Sequence, residues 1–214
     1  MRLYDYGPSA NCLKARLVLG RLGIPCERVP VDIFAGETLT PEYLKRNPDG
    51  RTPVLELDDG TCLAESNAIA FYLAEGSDLV PEDPVDRARV MQWLFFEQNR
   101  LEPNVGSARF WRLTGRADER PDVFARLVVA GEGALAALDR HLTSRDYLVG
   151  ERFTLADLVL ACYAAAGEGA GIDMAGYPAV SAWLARLERE GISTAVEPYP
   201  PNAMAGAAGG TVHG

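Results

Sequence analysis

Histidine is nearly absent from this chain: 214 residues contain two, one of them His213 near the end. The four cysteines, Cys12, Cys26, Cys62 and Cys162, are scattered, and no two form a C-x-x-C pair. A zinc site needs Cys and His at short spacing, and a dithiol redox centre needs two thiols one turn apart, so both are excluded. Free thiols fit a reducing compartment. No apolar run approaches the ~20 residues that cross a bilayer. The opening Met1-Arg2-Leu3-Tyr4-Asp5 has no signal-peptide hydrophobic stretch and reads at once as structure, which predicts a cytoplasmic protein with no membrane partner. Positive charge is also short: 21 Lys and Arg against 30 Asp and Glu leave a net charge of −9. A nucleic-acid binder needs a basic footprint to neutralise phosphates, so that class is excluded too. What remains is an ordinary globular composition, 48% hydrophobic and 24% charged. The length suffices for one or two cores without disulfide or metal staples.

The first third alternates strand and helix signals. Arg2 to Tyr6 reads as a short strand, Gly7-Pro8-Ser9 as a turn, and Asn11 to Leu22 as a helix. In that helix Leu13, Ala15, Leu17, Val18 and Leu22 recur at helical spacing, and Gly23 stops it. Cys26 to Val31 is a second strand. Thr40-Pro41-Glu42 starts a helix with a capping hydroxyl and proline at the first helical position, ending near Asn47-Pro48-Asp49-Gly50. Pro53 to Leu57 and Thr61 to Leu63 flank Asp58-Asp59-Gly60, a hairpin signal. Glu65 to Glu75 is a helix with Ser66 expected as its N-cap. The order β-α-β-α-β-β-α predicts a mixed sheet with helices packed on it.

After residue 77 strand signals vanish. Residues 78–85 read as a linker and 86–197 as an all-α domain, with helices over Asp86–Leu113, Pro121–Leu142, Leu155–Ala166 and Pro178–Glu190. Pro103 should kink or break the first of these. Residues 198–214 form a Gly/Ala/Pro-rich tail expected to be mobile and able to shield a ligand opening.

Three segments carry residue types suited to chemistry. Ser9, at the turn into the first helix, stands beside free backbone N–H groups that stabilise an anion, including a thiolate; taken alone, a plain N-cap is the simpler reading. Thr52-Pro53 precedes a strand. A cis bond there would turn the Thr52 backbone toward an extended peptide ligand, but only ~5–6% of X–Pro bonds are cis, which points to trans. Glu65-Ser66 opens a helix, where a hydroxyl with backbone N–H groups suits a carboxylate and Glu65 suits an ammonium; a plain cap is again the simpler reading. Thr154-Leu155-Ala156-Asp157 fits a capping box, so Asp157 should matter for folding.

Order and spacing of these segments carry more than each does alone. Ser9-Ala10-Asn11-Cys12 resembles the serine-type active-site turn of theta- and delta-like glutathione transferases. Asn47-Pro48-Asp49-Gly50-Arg51-Thr52-Pro53 resembles their NPxGKVP segment, and Glu65-Ser66-Asn67-Ala68-Ile69 their ESxAI segment. Tyr147 to Asp157 resembles the C-domain signature. The resemblance to the cytosolic glutathione transferase superfamily runs from Leu3 to about Leu187.

This resemblance implies a thioredoxin-like N-terminal domain followed by an all-helical C-terminal domain. It implies glutathione as cosubstrate with no metal, a homodimer pairing the N-domain of one chain with the C-domain of the other, and a detoxifying transferase activity. Glu65 and Ser66 would hold the γ-glutamyl end, Thr52 with Pro53 the cysteinyl backbone, and Arg51 the glycine end. Ser9, with Asn11, would stabilise the thiolate for attack on a small apolar electrophile between the domains. Tyr6 is a third candidate for the thiol. Cys12 is expected to face the core. Phe110 and Trp111, bracketed by Arg109 and Arg112, are the substrate-pocket candidates, although an aromatic stripe is more often core and flanking arginines a solvated face. Three positions depart from the family pattern. Arg51 replaces a commoner lysine. Thr38-Leu39 replaces a basic or amide residue, which leaves Arg51 alone for the glycine carboxylate. Asn11 replaces a proline, which puts the choice between Ser9 and Asn11 in doubt. Two rivals remain: a glutathione-dependent disulfide or hydroperoxide reductase, and a non-catalytic glutathione-fold binding module.

Overall fold

The computed structural model describes residues 1–199. The chain folds as two units: Met1–Glu75 together with the segment that begins at Ala195, and Gly76–Thr194. The first unit thus takes in Ala195–Tyr199, part of which the sequence alone assigns to the helical domain. Of the tail expected to shield a ligand opening, residues 200–214 lie outside the described residues.

The first unit holds strands β1 (Arg2–Asp5), β2 (Glu27–Pro30), β3 (Val54–Glu56) and β4 (Cys62–Leu63), with helices α1 (Ala10–Leu22), α2 (Pro41–Arg46) and α3 (Ser66–Ala74). The sheet order is β2-β1-β3-β4. β1 runs parallel to β2 and antiparallel to β3, and β3 is antiparallel to β4. The parallel pair is joined by the α1 crossover and the last pair by the expected hairpin. This is the thioredoxin-like arrangement.

Alternation along the strands separates two faces. Tyr4 lies opposite Val54 in the register, and both pack with Val31 and with Tyr43 of α2. The Tyr4 and Tyr43 rings meet edge to face with centroids 6.0 Å apart. Leu3 pairs with Leu55, and neither has any exposed surface. α1 packs against α3, burying Ala15, Val18, Ile69 and Ala70 completely. Local chemistry sets the helix ends. Gly23 ends α1 at φ 63°, a left-handed conformation open to glycine, and Thr40 caps α2 by accepting from the Tyr43 N–H.

One buried acid ties the start of this unit together. Asp5 is 2% exposed and takes Arg16 Nη1 at 2.6 Å and Arg28 Nε at 2.7 Å. Arg16 also donates to the Gly7 carbonyl at 2.9 Å, so the turn before α1 is pinned from inside. Arg28 further pairs with Glu197 at 2.9 Å, which fastens the returning chain to the same edge.

The second unit has no strand among its described residues; its helices are α4 (Pro84–Phe96), a π-helical stretch (Glu97–Gly106), α5 (Ser107–Leu113), α6 (Arg116–Glu119), α7 (Pro121–Leu142), α8 (Leu155–Ala164), α9 (Gly167–Ala170) and α10 (Pro178–Arg189), with a short 3-10 turn (Met174–Gly176) before the last. α4 begins inside the expected linker, because Asp83 caps it and Pro84 takes its first position. The expected break at Pro103 does not occur. Backbone dihedrals at Phe96, Glu97, Gly106 and Ser107 are all right-handed helical, and the chain passes Pro103 in a wider i→i+5 turn. Proline lacks an N–H and crowds the carbonyl four residues back; the wider turn gives that carbonyl room.

Every residue of α8 is buried, making it the core helix of this unit. Its N-terminus carries the expected capping box. Asp157 Oδ2 accepts from the Thr154 N–H at 2.9 Å and the Thr154 hydroxyl at 3.0 Å. Its Oδ1 accepts from the Leu148 N–H at 2.9 Å and Trp183 Nε1 at 3.0 Å. One carboxylate therefore joins α8 to the preceding loop and to α10. No helix among the described residues is long and apolar enough to cross a membrane.

Candidate functional site

The turn from β1 into α1 places Ser9 at the helix cap. Its N–H donates to the Tyr6 carbonyl at 2.9 Å, and its Oγ accepts from the Cys12 N–H at 3.3 Å. Accepting that bond leaves the hydroxyl proton to donate elsewhere, so capping and a second role are compatible.

Asn11 lies in the first turn of α1, and its side chain reaches the first turn of α3. Asn11 Oδ1 accepts from Ser66 Oγ at 3.0 Å and from Lys14 Nζ at 2.9 Å. Lys14 is fully buried and also donates to Asn67 Oδ1 at 3.1 Å and Ser66 Oγ at 3.3 Å. Two helix N-termini, each with backbone N–H groups lacking intrahelical partners, are therefore bridged by one polar cluster.

Ser66 is not the cap of α3. Glu65 occupies that position at φ 68° and ψ 113°, without a side-chain capping bond. A positive φ is unusual for a side chain of this size and marks a backbone held by its surroundings. Ser66 begins the helix instead and turns inward, 5% exposed, onto Asn11 and Lys14, while Glu65 is exposed. A buried ammonium needs oxygen acceptors, and this one draws in the serine hydroxyl.

The Thr52–Pro53 bond is cis, against the base-rate expectation. Tyr43 Oη and Asn47 Nδ2 donate to the Arg51 carbonyl at 3.0 and 2.9 Å, fixing the loop just before it. The Thr52 hydroxyl hydrogen-bonds the sulfur of Cys12. Cys12 has no exposed surface, and its Sγ also accepts from the Tyr6 N–H at 3.4 Å. Burial pushes its thiol up to about 11, against the hydrogen bonds that its sulfur accepts. Cys12 is thus a neutral pin between β1, α1 and the Thr52 loop.

The remaining candidates lie elsewhere. Arg51 is exposed and pairs with Asp49 at 2.8 Å. Thr38 is buried and Leu39 is 64% exposed. The Tyr6 ring packs edge-on against Phe34 and Tyr199, with centroids 6.1 and 6.0 Å away. Its buried hydroxyl has no hydrogen-bond partner among the described residues, and burial holds the phenol far above its ordinary pKa.

In the helical unit, Trp93 is core, edge-on to Phe96 and His141. Phe95 is 61% exposed. Phe110, Trp111 and Arg109 are half-buried, and Phe110 lies under the Arg116 guanidinium at 5.5 Å. The Arg112 guanidinium donates to the Glu168 and Gly169 carbonyls of α9 at 3.0 and 3.2 Å, a structural bond. A groove of about 410 Å³ in this unit is lined by Pro81, Glu82, Asp86, Val149, Glu151 and Arg152 among others, but by none of these four candidates. Among the described residues no group of three His, Cys, Asp or Glu is placed to hold a metal.

Sequence reading missed Lys14, Asp5, Asn47 and Tyr43. Lys14 had a signal: Asn11, Lys14, Ala15 and Val18 stand at i, i+3, i+4 and i+7, one helix face whose last two members belong to the apolar stripe.

Comparison with known proteins gives the family. Residues 1–75 match the glutathione S-transferase N-terminal domain and residues 110–190 the C-terminal domain. A glutathione S-transferase structure from Pseudomonas fluorescens is 42% identical, with a TM-score of 0.85 over 87% of this chain and 94% of that one. A possible glutathione S-transferase from Rhodopseudomonas palustris is 41% identical, with a TM-score of 0.87 over 92% of this chain and 98% of that one. Elongation factor 1-gamma of Artemia salina is 34% identical over 161 residues, 75% of this chain but 37% of that protein. The chain therefore spans little more than a third of the length of the curated relatives it matches. Two matched domains and similarity along nearly the whole of the solved relatives assign this protein: it belongs to the glutathione S-transferase superfamily.

Proposed function

We propose that this chain binds glutathione and activates its thiol for attack on a small apolar electrophile. The contact that carries this reading is the 3.0 Å bond between Ser66 Oγ and Asn11 Oδ1, which brings together the candidates for the γ-glutamyl end and for the thiol. Glu65 and Ser66 take the γ-glutamyl head, Thr52 beside Pro53 the cysteinyl backbone, and Arg51, once released from Asp49, the glycine carboxylate. Ser9 and Asn11 donate to the sulfur, whose proton leaves to solvent. The thiolate then forms a C–S bond to the electrophilic carbon as a leaving group departs from an aryl halide or, for an isothiocyanate, as the C=N π pair moves to nitrogen and takes a proton from water. Phe110 and Trp111 are the side chains proposed to meet the electrophile, with Arg109 near its developing charge; Arg112 drops out of that role because α9 already holds it.

A second reading comes from the relatives named elongation factor 1-gamma: a binding module on the same fold, without turnover. Calorimetric titration with glutathione, followed by a panel of aryl halides, isothiocyanates and small anionic electrophiles, separates the two. Binding with turnover of the apolar compounds supports the transferase. Turnover of anionic compounds alone moves the second-substrate site to an arginine-lined surface, and binding without any turnover leaves the module. Ser66→Ala should weaken glutathione binding by roughly 1–3 kcal/mol, because Asn11 and Lys14 each lose a buried hydrogen-bond partner at the start of α3, beside the proposed γ-glutamyl site. Unchanged affinity would remove Ser66 from the site.

We also propose a homodimer, the commonest closed assembly of soluble chains. Light scattering at micromolar concentration should give twice the 23.2 kDa chain mass; a monomer would contradict it.

A further inference from the structure

The Lys14 side chain has no exposed surface, and three uncharged oxygens from two helices accept from its ammonium. An ammonium carries only donors, so a carboxamide that meets it does so through oxygen. The 2.9 Å contact therefore orients Asn11: Oδ1 faces the buried charge. Ser66 Oγ donates to the same oxygen at 3.0 Å, which occupies both of its lone pairs. The other branch of the carboxamide, its –NH2, can act only as a donor.

That orientation decides the sign of any effect on a neighbouring sulfur. An N–H aimed at sulfur stabilises the thiolate and lowers the thiol pKa. A carboxamide turned the other way would present oxygen, accept from the S–H and hold the proton on. We propose that Lys14 is a positioning residue for thiol activation: its buried ammonium locks Asn11 with oxygen inward, so that the amide N–H stabilises the bound glutathione thiolate while the thiol proton leaves to solvent. This rests on the glutathione reading above and assigns one more residue to that site.

The test follows the thiolate absorbance of the glutathione complex against pH in the full chain. Lys14→Met keeps the length of the side chain and removes the charge. The bound thiol should then titrate about one unit higher, with kcat/KM at neutral pH about tenfold lower. In an Asn11→Ala background the same substitution should add almost nothing, because both act through one amide. A Lys14→Met chain that melts earlier but titrates as the wild type, or one whose effect persists in full without Asn11, overturns the proposal and leaves Lys14 as a cross-link between α1 and α3. If Lys14→Met does not fold, Lys14→Gln replaces it, removing the charge that fixes the Asn11 amide while keeping a polar tip for the buried oxygens. That chain should bind glutathione with a raised thiol pKa, and a wild-type titration curve would overturn the proposal. A wild-type chain that binds no glutathione removes the underlying reading as well. A wild-type chain that binds and lowers the thiol pKa, with Lys14→Met unchanged, removes the proposal alone.

Discussion

Asp157→Ala should destabilise the helical unit by about 3–5 kcal/mol, because several buried donors lose their acceptor together. The carboxylate has no exposed surface and satisfies four donors, from Leu148, Trp183 and both polar groups at Thr154. Alanine would orphan all four at once, and an unsatisfied buried group costs roughly 1–3 kcal/mol before relaxation. At about 2–4 °C per kcal/mol for a chain of this size, the midpoint of thermal unfolding should fall by roughly 6–20 °C. Asp157→Asn should lose less, because its oxygen can still serve Leu148 and Trp183 while its –NH2 faces the Thr154 N–H. A loss under about 1 kcal/mol for alanine would show that the network does not hold the unit together.

The pH dependence has a definite sign. Burial outweighs the four hydrogen bonds and holds the Asp157 carboxyl above its ordinary value. The native state then keeps this proton more readily than the unfolded chain, whose value is about 3.9. The contribution is complete below that unfolded value and is lost as pH rises through the folded one. Asp157→Asn should lack this component, which paired denaturation curves across that window would show.

Joint replacement of Ser9 and Asn11 by alanine should lower kcat/KM for conjugation by about 10²–10³-fold, the scale seen when preorganised donors to a developing anion are removed. Each single variant should raise the pKa of bound glutathione, by roughly one to two units if its donor carries a charge-assisted bond. Affinity should change little, since the thiol is not the main handle on the peptide. Ser9 also caps α1, and a lost cap costs about 0.5–2 kcal/mol, so unfolding midpoints must be measured beside the titration. If Ser9→Ala leaves the thiolate curve in place and Asn11→Ala moves it, the thiol contact belongs to Asn11. Loss of the depressed pKa in neither variant would empty the proposed thiol site.

Much of the first unit was legible because its signals are short-range. Thr40-Pro41 marks the start of α2, Gly23 the end of α1, and Asp58-Asp59-Gly60 the hairpin, each through residues within one turn of each other. The capping box at Thr154–Asp157 is legible for the same reason, although the Trp183 bond to it, 26 residues away, is not.

By itself the sequence determined the element order of the first unit, the caps at Thr40 and Thr154, and the motifs that put Ser9, Thr52 and Ser66 at element ends. Only the tertiary structure decided what those ends do to one another. Lys14 reaches Asn67 across 53 residues, Ser66 reaches Asn11 across 55, and Arg28 reaches Asp5 across 23. Each of these bonds matters because at least one member, Lys14, Ser66 or Asp5, is taken out of water, where an unpaired polar group is expensive. Burial is a property of the packed whole, so no window of sequence displays it. The same holds for Glu65 at positive φ and for the helix that continues past Pro103. Local propensity disfavours both, and surroundings assembled from distant parts of the chain hold them in place.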